Sequence, residues 1–153
     1  MPRRNDDAQP AANQNVPLAL AAVQDAAELR RRLRRFLAHG DSVVRGSGLT
    51  PQRYLLLLSV KGAPDGTETR TIGGIAGDLQ LAQSSATELV DRAEAAGLIV
   101  RTTAAHDGRV VTISLSEEGQ ARFAAAFAAL ADDRAELLAY LDHARSHLAR
   151  HGL

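Results

Sequence analysis

Between Ser84 and Leu115 the chain runs SSATELVDRAEAAGLIVRTTAAHDGRVVTISL, and this stretch limits the possible folds more than any other. Apolar residues recur at helical spacing until Gly97, where a glycine followed by apolar Leu98 fits a helix closing in a left-handed cap. Ile99–Thr103 then has the character of a strand. The polar run holding Asp107-Gly108-Arg109 makes a turn. From Arg109 to Leu115, the residues Val111, Ile113 and Leu115 alternate with Val110, Thr112 and Ser114, so a second strand buries one face. A short amphipathic helix feeding directly into a β-hairpin must place both along one edge of a small domain.

The segments upstream supply more helices. Thr50 as N-cap and Pro51 at the first helical position predict a helix that ends at Gly62. Its four consecutive leucines, Leu55 to Leu58, predict an element buried nearly all round. Ala63-Pro64-Asp65-Gly66 is a turn, and Thr67 to Arg70 is expected as a short strand. Thr71 caps a helix with Ile72, Ile75, Ala76 and Leu79 on one face. Gly73, Gly74 and Gly77 each weaken that helix by roughly 1 kcal/mol relative to Ala, so it must depend on packing. Leu81 to Gln83 form the turn into the next helix.

The flanks are helical as well. Residues 18–38 carry Val23, Ala26, Leu29, Leu33, Phe36 and Leu37 at helical spacing, with Arg31, Arg32, Arg34 and Arg35 on much of the other face. The arginine run is taken as a solvated face on a dimerising helix in preference to a phosphate-contacting patch. Gly40 to Gly48 is expected as a loop. Ser116-Glu117-Glu118 opens a final helical region, with acids where the helix dipole favours them. Ala121 to Leu141 is alanine-rich and helical, with a break expected near Asp132-Asp133 and a continuation to about His151.

Composition excludes several functions. The 153 residues are enough for one core, which must be aliphatic because only 3% are aromatic. The absence of cysteine rules out disulfides, thiolate metal sites and thiol redox sensing. No apolar run approaches the ~18 residues of a membrane span, and the opening MPRRNDDAQPAANQNVP has no apolar core of a signal peptide. That opening is expected to be a disordered arm, and the protein cytoplasmic. No nucleophile motif, phosphate-binding loop or dinucleotide fingerprint is present, so neither an enzyme nor a cofactor is expected. Net charge is zero: eight Arg face five acids in residues 1–48, six basic residues face seven acids in 49–116, and four face six in 117–153. Any attraction to phosphate must therefore come from arginines gathered on one face.

The order of helices, hairpin and closing helix is that of a winged helix-turn-helix. From Leu49 to Gly119 the chain resembles the MarR family of regulators. The matching residues are Leu89-Val90-Asp91-Arg92-Ala93-Glu94-Ala95-Ala96-Gly97-Leu98, then Asp107-Gly108-Arg109 in the wing, then Leu115-Ser116-Glu117-Glu118-Gly119. The resemblance implies a mainly α fold with a small hairpin wing (α+β). It divides the chain into a disordered arm (1–16), an N-terminal dimerisation helix and loop (17–48), a DNA-binding lobe (49–116) and C-terminal dimerisation helices (117–153). It also implies a homodimer on double-stranded DNA, usually a repressor, released by a small-molecule effector of unstated identity, with no membrane partner.

Expected DNA-binding residues follow from the lobe. Gln83, Ser84, Ser85, Thr87 and Glu88 begin the recognition helix, whose N-terminal residues face base edges. The alternative for Ser85 and Glu88 is a capping box, S-x-x-E, which would turn Glu88 back to the backbone. Family members often carry a basic residue at the position of Glu88. Arg92 and Arg101 are candidate phosphate contacts, and Arg109 can enter a narrow minor groove. The parity of Arg109 also points it toward the recognition helix, where Asp91 is the expected orienting partner. His39, Arg53 and Tyr54 are candidate liners of an effector cleft. His143, His147 and His151 share a helix face at metal-compatible spacing, which leaves a metal-responsive regulator as an alternative to the preferred absence of metal. The other alternative is a winged-helix module that binds protein, motivated by Glu88 and the slightly acidic lobe.

Overall fold

The computed structural model describes residues 20–103 and 110–151. Their order is α1 (Leu20–Gly46), α2 (Pro51–Lys61), α3 (Ile72–Leu79), α4 (Gln83–Ala95), β1 (Ile99–Thr103), β2 (Val111–Leu115), α5 (Glu117–Ala129) and α6 (Ala131–His151). This is the expected mainly helical architecture with one hairpin. The expected arm over residues 1–16 lies outside the described residues.

Side-chain caps set three helix starts. Thr50 Oγ1 accepts from the Arg53 amide (3.2 Å), Thr71 Oγ1 from the Gly74 amide (3.1 Å) and Ser116 Oγ from the Gly119 amide (2.9 Å). Each satisfies a backbone donor that a helix N-terminus leaves without an internal partner. The core forms where α2 lies under α3, α4 and the hairpin. Leu56, Leu57 and Val60 from α2 meet Ile75, Val90, Leu98 and Ile113, all fully buried. Burying each such aliphatic side chain contributes about 1.5–3 kcal/mol.

The hairpin pairs β1 with β2 antiparallel, from Ile99 opposite Leu115 to Thr103 opposite Val111. Arg70 adds one isolated bridge to Ile113, with backbone bonds of 3.0 and 2.8 Å. The hairpin's base is joined to α5 through Ser116. Its amide donates to the Leu98 carbonyl (3.0 Å) and its hydroxyl to the Gly97 carbonyl (2.6 Å).

Several expectations are corrected. The region from Gly40 is helix and not loop: α1 continues to Gly46 because Val44 is buried and Val43 packs against the core. That burial outweighs the roughly 1 kcal/mol a mid-helix glycine costs. Leu55 and Leu58 are exposed, so α2 is buried on one side only. Thr67 to Arg70 contributes a single bridged residue in place of a strand, because Thr67 is tied to Asp65 in a turn and Glu68 has a positive φ of 55°. The break in the C-terminal region falls at Leu130, one residue before α6, and not at Asp132-Asp133. In β2, Ile113 and Leu115 are buried as expected, but Val111 is exposed.

α1 and α6 run antiparallel. Asp25 faces His147 (3.5 Å), Arg32 bonds Glu136 (3.4 Å) and lies over the Tyr140 ring, and His39 faces Asp133 (3.4 Å). No described helix is long and apolar enough to cross a membrane.

Candidate nucleic-acid interface

Ala86, Leu89, Val90 and Ala93 are the buried residues of α4. Their spacing defines one helix face, so the opposite face is held outward. Gln83, Ser84, Ser85, Glu88, Asp91 and Arg92 are all exposed. The N-cap is Ala82, which has no side-chain cap, and Ser85 sits inside the helix. The capping-box alternative is therefore removed. Among the described residues the side chains of Gln83, Ser84, Ser85 and Glu88 make no hydrogen bond or ion pair, so their donors and acceptors point at solvent. Thr87 differs. It is half-buried and its hydroxyl donates to the Gln83 carbonyl (2.9 Å), inside its own helix.

Two arginines stand together at the other end of α4. Arg92 Nε donates to the Glu88 carbonyl (3.2 Å), and Arg53, from the first turn of α2, donates to the Arg92 carbonyl (3.3 Å). Arg53 is thus placed beside α4, in a groove that it shares with Pro51, Leu89 and Arg92.

At the wing, Arg101 on β1 reaches back to α4. Its Nη2 lies 2.5 Å from Asp91 Oδ1 and its Nη1 3.1 Å from Glu94 Oε2. Among the described residues the wing arginine that meets Asp91 is Arg101, which the sequence analysis took for a phosphate contact. Arg109, the partner expected from parity, lies outside the described residues, as do Asp107 and Gly108. Sequence reasoning missed Glu94. Its position three residues after Asp91, on the same helix face, was the available sign.

The three expected cleft liners separate. Tyr54 lies in a largely apolar cleft of about 220 Å³ between α1, α2 and α5, beside Phe36, Leu37, Leu58 and Phe127. It stacks on Phe123 at 5.7 Å, and burial pushes its phenol pKa up, so it stays neutral at ordinary pH. His39 lines a second recess with Arg32, Asp133 and Glu136, bordered like the first by Phe36, and Arg53 lines the groove beside α4. The cleft's cation is Arg134, which nothing in its sequence neighbourhood singled out. Its guanidinium lies 3.7 Å from the Phe127 ring centre, and its Nη1 is buried without a hydrogen-bond partner.

Of the C-terminal histidines, His143 is exposed, His147 faces Asp25, and the side chain of His151 lies outside those described. Among the described residues no three His, Cys, Asp or Glu gather as a metal site.

Residues 47–110 match a model of the MarR family. Among solved structures, a MarR family protein from Bacillus stearothermophilus is 26% identical, with 79% of this chain aligned to 82% of that one at a TM-score of 0.65. A MepR variant from S. aureus, bound to an oligodeoxyribonucleotide, is 18% identical, with 82% of this chain aligned to 93% of it at 0.61. BpsR of Bordetella bronchiseptica, whose DNA binding is regulated by 6-hydroxynicotinic acid, is 16% identical, with 85% aligned to 99% at 0.60. The last two speak for the fold alone. No curated protein sequence matches the chain. With residues 47–110 matched in sequence to the MarR family and the helical frame around them shared in structure, the chain has the fold and the winged lobe of the MarR family of DNA-binding, winged-helix transcription regulators.

Proposed function

We propose that the chain is a homodimeric repressor that reads an inverted repeat in double-stranded DNA and releases it when a small apolar molecule fills the cleft beside Tyr54. The observation carrying this reading is the outward face of α4, where Gln83, Ser84, Ser85 and Glu88 have no partner within the described chain. A polar helix face left unsatisfied by its own protein suits the major groove. Gln pairs with adenine in a bidentate manner, Ser donates or accepts, and Glu accepts from the amino group of cytosine. Thr87 serves chiefly its own helix. Arg92, with Arg53 beside it, supplies phosphate contacts, and Arg109 the wing's groove contact. Two lobes related by a two-fold axis require half-sites about 10 base pairs apart.

The MepR variant bound to an oligodeoxyribonucleotide and the ligand-regulated BpsR support DNA binding, and its regulation by a small molecule, as uses of this fold. The decisive experiment is a binding titration on the DNA upstream of the protein's own gene at 50 and 200 mM salt. Affinity should fall steeply as salt rises, because phosphate contacts release counterions. An affinity indifferent to salt, or no binding, sinks the proposal in favour of a protein-binding winged helix. Phenolic and aromatic-acid candidates added to the bound complex test release.

A further inference from the structure

The outward face of α4 is acidic at its centre. Ala86, Leu89, Val90 and Ala93 define the buried side, and by helical periodicity the positions opposite them are Ser84, Glu88 and Asp91. All three are exposed. Asp91 is neutralised by Arg101, and Ser84 carries no charge. Glu88 is therefore the free charge at the middle of this face, with no partner among the described residues. Arg92, one turn further on, stands in the favourable order for an ion pair with it, glutamate first. No such pair forms. Arg92 Nε donates to the Glu88 backbone carbonyl (3.2 Å), and Arg53 donates to the Arg92 carbonyl (3.3 Å). The carboxylate is left to solvent although a cation lies one turn away.

A free carboxylate facing a polyanion repels it, and only a donor in the groove offsets that repulsion. In the major groove guanine presents two acceptors, and thymine an acceptor and a methyl group, so neither suits a carboxylate. Adenine presents an amino donor beside the acceptor N7. Cytosine presents its N4 amino group with no acceptor of its own beside it. We infer that Glu88 is a specificity-determining residue: its carboxylate accepts from the N4 amino group of a cytosine in each half-site and excludes guanine and thymine there. This rests on the DNA-binding reading above and sharpens it, because Glu88 both selects a base and lowers affinity for every sequence that lacks it. A basic side chain at this point would instead seek guanine or a phosphate.

The test selects from a pool of duplexes with randomised centres, using the full chain unaltered, as Glu88→Gln and as Glu88→Ala. The unaltered protein should enrich a cytosine at one symmetric position of each half-site, and replacing that cytosine should weaken binding roughly tenfold to a hundredfold. Glu88→Gln should move the preference at that position to adenine, whose N6 and N7 suit a carboxamide. Glu88→Ala should lose the preference there and keep it elsewhere. It should also bind unrelated duplexes more tightly than the unaltered protein does, since a charge that repels phosphate is gone. Both variants should melt close to the unaltered protein, because an exposed side chain without partners supports little within its own chain. If both variants select the same sequence as the unaltered protein, Glu88 reads no base. If the position that changes held guanine, thymine or adenine in the unaltered selection, a different contact is at work. Either overturns the proposal, as does salt-dependent binding that enriches no sequence. Failure of the unaltered protein to bind any duplex overturns the regulator reading instead.

Discussion

Gly119 shows how one residue can be dictated by a single atom. A Cβ built there would lie 1.9 Å from the Leu98 carbonyl oxygen and 2.8 Å from its carbon, both backbone. No rotamer change relieves that contact. The motif that closes on Gly119 therefore lets the first turn of α5 press against the chain entering β1. Gly119→Ala should destabilise the protein by at least the ~1–3 kcal/mol of ordinary overpacking, read as a lowered Tm. Gly77→Ala offers the opposite case. Gly77 is exposed within α3 with nothing within 4 Å of its added Cβ, so the substitution should stabilise by about 0.5–1 kcal/mol. A destabilised Gly77→Ala would mean that α3 needs the glycine for something other than space. Local chemistry of this kind was legible in the sequence. Thr50, Thr71, Ser116 and Gly97 do what their types and spacing imply, because caps and left-handed turns depend on immediate neighbours. The partners of Arg101 and Arg134 were less so. A long cation on a strand or helix can reach in several directions, and only the packed neighbours decide among them.

Asp78 governs how the elements of the lobe hold together. It accepts two bonds from Arg70 (2.9 and 2.6 Å) and one from Ser59 (2.6 Å), and so ties α3 to α2 and to the bridge on β2. Those bonds, Arg70 first, hold the Asp78 carboxyl below its usual pKa and raise that of Arg70. A carboxylate with a depressed pKa in the folded state contributes stability that is complete above its unfolded pKa of about 3.9 and is lost as pH falls through the lower folded value. Asp78→Asn should therefore lower Tm at pH 7, and the gap from the unaltered protein should narrow steadily below about pH 4. Thermal melts across that range check it, and a gap of constant width would deny the linkage. Measuring the difference matters, because Asp65 and Glu28 also have lowered pKa values and shape the acid limb of both proteins. Nothing in the residues themselves announces this clip, since Asp78 and Arg70 sit on different elements. The same reasoning explains the misread boundary of α1. Gly40, Asp41 and Ser42 favour an end to the helix, but Val43 and Val44 gain more by docking on the core than those residues lose. The hairpin was easier, since period-two alternation survives in Ile113 and Leu115 whatever lies around it.

At the scale of the whole molecule, the apolar surface is unevenly spread. Leu20, Leu37 and Leu138 are 71%, 64% and 63% exposed, and all three lie on the antiparallel pair of α1 and α6 rather than on the reading lobe. The three most exposed large apolar side chains thus gather on one helix pair, as at a contact site, and a second copy is the occupant the proposed operator symmetry requires. The sequence suggested a dimerising role for these helices without indicating which side chains remain outside, because α1's apolar stripe is shared between its own core and the surface. Leu138→Glu should convert a dimer to a monomer by light scattering while leaving the melt of the lobe nearly unchanged, since an exposed side chain supports little within its own chain. DNA binding should weaken far more than the distance to the interface suggests. Two linked lobes make the second half-site contact intramolecular, and that gain can reach about 10²–10⁴ in affinity. A variant that stays dimeric would move the contact surface off α6. A variant that becomes monomeric yet binds the full operator as tightly as before would show that one lobe suffices, and the two-fold operator would lose its physical basis.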